Sequence, residues 1–370
     1  MSFPVTDLRI SQVDLSIGAD EAELVQQCID ARWLSEGPHT KAFAESLQAF
    51  TGSKFVTFAP NATLGLYLAF LALDLPAGSE VLVPSYTFYG SATAAVFAGL
   101  KPVFVDCDET TFNVGVKHFK AALTKNTRAI MPVHIYGQCC DMTEIMDFAR
   151  EHNLMVIEDA AQALGAKHKG KHAGTFGDIG VISFYSDKTI TTGEGGMLMT
   201  QDDALQAKIS LLRNQGRPNA GTFIHPSLGM NFRITDIQAA IGRAQLKKFD
   251  TIYAAKVHKW NFYEKALKGV GDLRFMAVHP NSNLVAFRFP ILSAHRDGIM
   301  KALQDKGIQT RGFFYPMHWQ PKLRSDPALH LANSEMLYNE GQCLPIHFKL
   351  QDSDLQLIVD TIKDYFQHKA

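Results

Sequence analysis

Over its first two-thirds the chain alternates short apolar runs with longer stretches of helical periodicity, and this alternation narrows the fold more than any other feature. Val81 to Pro84, Pro102 to Asp106, Ile130 to His134, Met155 to Asp159, Val181 to Phe184 and Met197 to Thr200 read as strands. Between them, helical patterns start near Thr63 and run over Ser91 to Ala98 and over about Asp141 to Glu151. Short apolar strands separated by helices signal a mainly parallel sheet covered on both faces, an α/β fold. In such sheets the ligand site lies beyond the carboxyl ends of the strands. Several polar residues in this chain directly follow an apolar run, which places them at that edge.

After about Leu246 the pattern changes. A long helical stretch covers Lys247 to about Lys268, followed by strand-like Leu284 to Phe289 and a helix near Asp297 to Lys306. A run from Ile308 to Phe314 and a last helix from about Asp352 to Phe366 complete the chain. The expected organisation is a large domain over residues 1–246, N-terminal segment included, and a smaller α+β domain over 247–370. The stretch Arg213 to Ser227, rich in Gly, Asn and Pro, reads as a long loop.

Thirty-six basic against 37 acidic residues give a formal charge of -1, without the basic excess of a nucleic-acid binder. No segment reaches the roughly 20 apolar residues of a membrane span, and the start MSFPVTDLRI lacks a signal-peptide pattern. Cys28, Cys107, Cys139, Cys140 and Cys343 are odd in number and lack CxxC spacing. They read as reduced thiols in a cytoplasmic protein, with no metal site.

Two segments carry chemistry. Met155 to Asp159 ends in two acids, followed by Ala160-Ala161-Gln162, and Ser183-Phe184-Tyr185-Ser186-Asp187-Lys188 leads into Thr191-Thr192-Gly193-Glu194-Gly195-Gly196. A lone loop lysine is ordinarily a surface residue, and an acid at a strand end is ordinarily solvated or a helix cap. In company they match what pyridoxal phosphate (PLP) requires. Lys188 supplies the Schiff-base amine. Asp159 supplies the carboxylate for the pyridine nitrogen. Asn61-Ala62-Thr63 opens a helix, so the Ala62 N–H and the Thr63 hydroxyl can take the phosphate. Ser183 adds a hydroxyl, Phe88 a ring to stack on the cofactor, and Gln162 a polar group on the ring-hydroxyl side. The glycines around Glu194 suit a tight turn or a close approach to a ligand.

The order of these motifs resembles the sugar aminotransferases of the DegT/StrS group, within PLP fold type I. The resemblance runs from Trp33-Leu34-Ser35-Glu36-Gly37 to Leu344-Pro345-Ile346-His347. It is closest in Ala129 to Gly137, Val156 to Gln162, Thr191 to Met197 and Asn231 to Ala240. Within the group the chain looks most like the perosamine synthases, which aminate C4 of GDP-4-keto-6-deoxymannose. The resemblance implies ping-pong transamination with L-glutamate as donor, and a homodimer with shared active sites in which Asn231 reaches the cofactor phosphate of the neighbouring subunit. It also implies substrate contacts from Glu194, Arg311 and His318, with Arg311 meeting a diphosphate and His318 a sugar hydroxyl. Some relatives are sugar dehydratases that carry histidine in place of the lysine; this chain keeps Lys188. It departs from the group's pattern at Ala62 (commonly Gly), at Ser186-Asp187 (commonly Gly-Asn) and at Arg311-Gly312 (commonly Arg-Pro).

Overall fold

The structure is a computed structural model that describes residues 8–368 apart from 220, 222 and 325. The ends of both expected domains, most of the N-terminal decapeptide and part of the 213–227 loop lie outside the described residues. The large sheet comprises β1 (Phe55–Ala59), β2 (Glu80–Pro84), β3 (Lys101–Val105), β4 (Thr127–Ile130), β5 (Met155–Asp159), β8 (Ile179–Ser183) and β9 (Gly196–Thr200). A small hairpin, β6 (Lys167–His168) and β7 (Lys171–His172), stands apart from it. The strand order is β1-β9-β8-β5-β4-β2-β3. Pairing is parallel from β3 to β8, and β9 runs antiparallel to both of its neighbours.

Helices cover both faces, so the strands are buried on both sides. The period-2 alternation of each strand divides their side chains between two cores. Ile157, Val181 and Leu198 join one core with Leu66 and Phe70 of α3 (Ala62–Leu73) and with α4 (Tyr89–Phe97). Val156, Ile182 and Met197 join the other, with Phe43 and Leu47 of α2 (Pro38–Thr51), Phe119 of α5 (Val116–Ala122) and Ile145 and Phe148 of α6 (Met142–Glu151). The remaining N-terminal helix, α1 (Ala19–Asp30), packs on α8 (Asp236–Lys247), while α7 (Asp203–Arg213) packs on α3. No helix of the described residues is long and apolar enough to cross a membrane.

A second, antiparallel sheet follows α9 (Phe249–Leu267). It contains β10 (Arg274–Phe275), β11 (Phe289–Leu292), β12 (Arg311–Gly312) and β13 (Gly341–Leu344), in the order β10-β11-β13-β12. With it pack α10 (Arg296–Asp305), α11 (Ala332–Glu340) and the last helix, α12 (Asp352–Gln367). The N-terminal segment runs beside these elements: Ile10 bridges to Ile308, and Gln12 N–H donates to Gln309 Oε1.

The expected strand over Leu284 to Phe289 forms only at its end. Ala286 sits at φ 44°, a left-handed conformation that breaks an extended run. Instead of lying in the small sheet, Val285 and Phe287 donate their N–H groups to Gly137 O and Tyr136 O of the large unit. This detour carries Phe287 and Arg288 to the carboxyl edge of the large sheet. The strand expected over Ile130 to His134 likewise stops at Ile130. Pro132, without an N–H, cannot continue the ladder as a donor.

Glu158 is fully buried. Its Oε1 accepts from the N–H groups of Phe176 and Gly177, and its Oε2 from Gly174 N–H and His134 Nε2. Burial pushes its carboxyl up, but His134 and the N–H groups of Gly177 and Gly174 outweigh burial and hold it below the ordinary range. Removing it strands several buried donors at once. Glu158→Ala is therefore expected to cost about 3–5 kcal/mol, read as a lowered urea midpoint at unchanged slope. Unchanged stability would show that the carboxylate does not organise this loop.

Candidate active site

The carboxyl ends of β1, β5 and β8, with the start of α4, surround one cavity of about 640 Å³. This is in the usual range for a small-molecule site. Of the sequence-predicted residues, Ala62, Thr63, Phe88, Asp159, Gln162, Ser183, Lys188, Glu194 and Arg311 line it.

The helix α3 starts at the cavity wall. Asn61 caps it, accepting from Leu64 N–H at 2.9 Å. The N–H groups of Ala62 and Thr63 have no carbonyl within the helix to bond, and the positive end of the helix dipole lies there. The glycine turn before β9 abuts this corner. A Cβ on Gly196 would come within 2.6 Å of Asn61 C and 2.7 Å of Ala62 N. At this position, glycine lets two protein segments touch.

Strand alternation sends Asp159 toward the cavity while Glu158 faces the other way. Asp159 Oδ2 accepts from Ser91 Oγ at 2.6 Å, and Oδ1 from Ala161 N–H at 3.1 Å. Thr87 Oγ1 lies 2.8 Å from Ser91 Oγ, which extends the chain of hydroxyls. Gln162 is held by Tyr136 N–H, which donates to its Oε1 at 2.7 Å. Ser183 Oγ accepts from Tyr185 N–H at 3.2 Å.

The Lys188 amine lies 3.8 Å from Asp187 Oδ1 and 4.6 Å from the Phe287 ring centroid. Burial pushes this amine down to about 8. Arg288 and Arg311 reinforce the shift, and Asp187 and Asp159 oppose it. Asp187 Oδ2 accepts from Arg288 Nη2 at 2.6 Å and from Arg311 Nη1 at 2.9 Å. Burial would raise the Asp187 carboxyl, but Lys188, Arg288 and Arg311 together hold it below the ordinary range.

His318 stays out of the cavity, and Asn231, expected at the site of a neighbouring subunit, lies outside its own. His318 is buried, its Nδ1 2.7 Å from Ser85 Oγ and its Nε2 3.0 Å from Glu335 Oε1, so both ring nitrogens are already engaged. Asn231 is exposed, bridges to Asn214, and accepts from Arg233 N–H at 3.1 Å. Conversely, Ser91, Tyr136, Asp187, Phe287, Arg288 and Phe314 line the cavity without having been singled out for it. Reading 284–289 as a strand hid Arg288. The departure at Ser186-Asp187 was the available signal for Asp187.

The residues present suit PLP. Unpaired N–H groups at a helix start fit a phosphate, an oriented carboxylate fits a pyridine nitrogen, and a buried amine of lowered basicity fits an aldehyde. Arg288 and Arg311 add cations beside the amine.

The model of the DegT/DnrJ/EryC1/StrS aminotransferase family matches residues 15–363. The GDP-perosamine synthase of Caulobacter vibrioides is 39% identical over 95% of this chain and 96% of its own. That of Vibrio cholerae is 37% identical over 95% of this chain and 97% of its own. The structure of the aminotransferase TlmJ from Streptoalloteichus hindustanus superposes with a TM-score of 0.93, at 28% identity, covering 97% of this chain and 99% of that one.

Only the neutral form of an amine attacks an aldehyde. With the Lys188 value near 8, the rate at which cofactor-free protein captures an aldehyde should rise with pH and level off above a midpoint near 8. Stopped-flow absorbance would read this midpoint. A midpoint near that of a free lysine, about 10.4, would contradict the buried setting described above.

Proposed function

This chain belongs to the DegT/DnrJ/EryC1/StrS aminotransferase family and is a PLP-dependent nucleotide-sugar aminotransferase; within that activity we propose that it carries nitrogen from L-glutamate to C4 of a GDP-4-keto-6-deoxymannose-like sugar. The printed names of its relatives from Caulobacter vibrioides and Vibrio cholerae support this acceptor. The observation that carries the residue assignment is that Lys188 and Asp159 face one cavity, with the start of α3 on its wall.

Bound PLP supplies an aldehyde that exchanges amines and a protonated ring that accepts electron density. Lys188 would hold it covalently, Asp159 would pair with its ring nitrogen, and Ala62, Thr63 and Ser183 would receive its phosphate. Phe88 would cover the ring, and Gln162 would face the ring hydroxyl. Ser91 and Ala161 orient Asp159 by donating to its two oxygens. Lys188 removes the proton at the donor Cα and, in the second half-reaction, returns one at the sugar carbon that receives nitrogen. Its lowered basicity lets one amine both take and give a proton near neutral pH. Glu194 stands at the cavity wall, available to a sugar hydroxyl. His318 acts at one remove in this reading, tying the segment around it to Ser85.

A homodimer completes the site in this reading, with Asn231 of the partner subunit reaching the phosphate. Two observations support it. Asn231 is exposed outside its own cavity, and the segment before it presents Phe223, Ile224 and Leu228 to solvent. The cysteines are free thiols, which fits a cytoplasmic setting. The retained Lys188 counts against the dehydratase alternative.

Lys188→Ala is expected to abolish the absorbance of the Schiff base between protein and cofactor and to lower turnover by at least about 10²–10⁴-fold, the usual worth of a general acid–base group. A variant that keeps both would refute the assignment. With ¹⁵N-glutamate and a panel of nucleotide keto sugars, the label should appear in the amino sugar formed from the GDP-linked 4-keto sugar. A deoxy sugar with released ammonia would point to elimination instead.

A further inference from the structure

The corner around Asp187 holds more cation than its one carboxylate can satisfy. Arg288, Arg311 and Lys188 converge on it, and both arginines bond the same oxygen, Oδ2. Oδ1 is buried and has no hydrogen-bond partner. Leaving a buried carboxylate oxygen without a donor is unfavourable, so the present pairing of Asp187 is a weak optimum. The two arginines are not equivalent. Both line the cavity, but the Arg288 side chain is 5% exposed and that of Arg311 53%. Arg311 gives Asp187 a single N–H, although a guanidinium can offer a carboxylate two parallel ones. Arg311 is therefore the less firmly held member of the cluster, and a better-placed carboxylate would hold it more strongly.

We propose that Asp187 is a resident stand-in for a carboxylate of the amino donor, and that the donor takes Arg311 from it, so that Arg311 reads the donor and not the nucleotide diphosphate. The inference rests on the aminotransferase reading above. Its geometric basis is proximity to the amine. Asp187 has one oxygen 2.9 Å from Arg311 and the other 3.8 Å from Lys188. A single carboxylate, that of Asp187, thus reaches both Arg311 and the group that must reach the donor Cα. In an amino acid a carboxylate is one bond from Cα. In a nucleotide 4-keto sugar the diphosphate is separated from the reacting carbon by the sugar ring. One pocket must also serve both substrates in turn. The sugar brings no carboxylate to this corner, and while it is bound Asp187 returns to Arg311 and keeps the guanidinium paired.

The test is calorimetric binding to the cofactor-loaded protein, with loading of each variant verified by absorbance. The probes are glutarate, a dicarboxylate that carries no amine to react, and GDP. Arg311→Gln should weaken glutarate at least about 10-fold and change GDP by less than about 2-fold, as expected for loss of a charge-assisted pair. Asp187→Asn should tighten glutarate by at least about 3-fold, because the competing charge is gone. Weakening of GDP alone, equal weakening of both ligands, or no change in either in Arg311→Gln overturns the proposal. Weaker glutarate binding in Asp187→Asn does so too. These outcomes are read on binding, so they stand apart from the aminotransferase reading, which would fail if the wild-type protein moved no nitrogen.

Discussion

Glu158 and Asp159 are sequence neighbours at the carboxyl end of one strand, and strand geometry sends them to opposite faces of the sheet. One carboxylate is spent on structure, where it takes three backbone N–H groups and His134 and holds the 174–177 loop. The other faces the cavity, oriented by Ser91 and Ala161. A slip of one residue in the pairing of this strand would exchange the two roles and put the loop anchor in the site. The parallel neighbours β4 and β8, paired through buried side chains on both faces, hold the register that prevents this. The other site residues follow from the same edge: Asn61 to Thr63 after β1, Phe88 after β2, and Ser183 at the end of β8.

The C-terminal unit supplies what the large sheet lacks. The left-handed turn at Ala286 and the two backbone bonds to Gly137 and Tyr136 take Phe287 and Arg288 out of the small sheet and into the cavity. Arg311 arrives from β12 of the same unit. Together they surround Lys188 with cations and an aromatic face. Burial and these neighbours bring its amine to a basicity at which it can carry a proton in either direction. The chemistry of one loop lysine on the large sheet therefore depends on a segment about a hundred residues further along the chain.

The parts of the site that were legible in the sequence share a physical trait: each is set by local geometry. Ala62 and Thr63 follow a capping Asn at the start of an apolar helix. Asp159 and Ser183 end apolar strands, and Lys188 follows one. Arg288 was not legible, because Leu284 to Phe289 has the composition of a strand. Only long-range backbone bonds and one unusual φ made it something else. The reading of His318 as a sugar contact did not foresee that Ser85 and Glu335 would engage both of its ring nitrogens. The glycines around Glu194 suggested close approach, but the approach at Gly196 is of α3 to β9.

The sequence alone determined the layered α/β architecture, the strand edge at which polar residues collect and the lysine–carboxylate pair suited to PLP. Periodicity, capping and chain order are properties of neighbouring residues, so they can be read without knowing the fold. Only the tertiary structure decided which charges meet. Asp187 binding two arginines from residues 288 and 311, and Asp159 held by Ser91 from another helix, are contacts across long loops of chain. The first is set by how residues 285–288 and β12 dock on the large unit, the second by how α4 sits beside β5, and no local pattern encodes either.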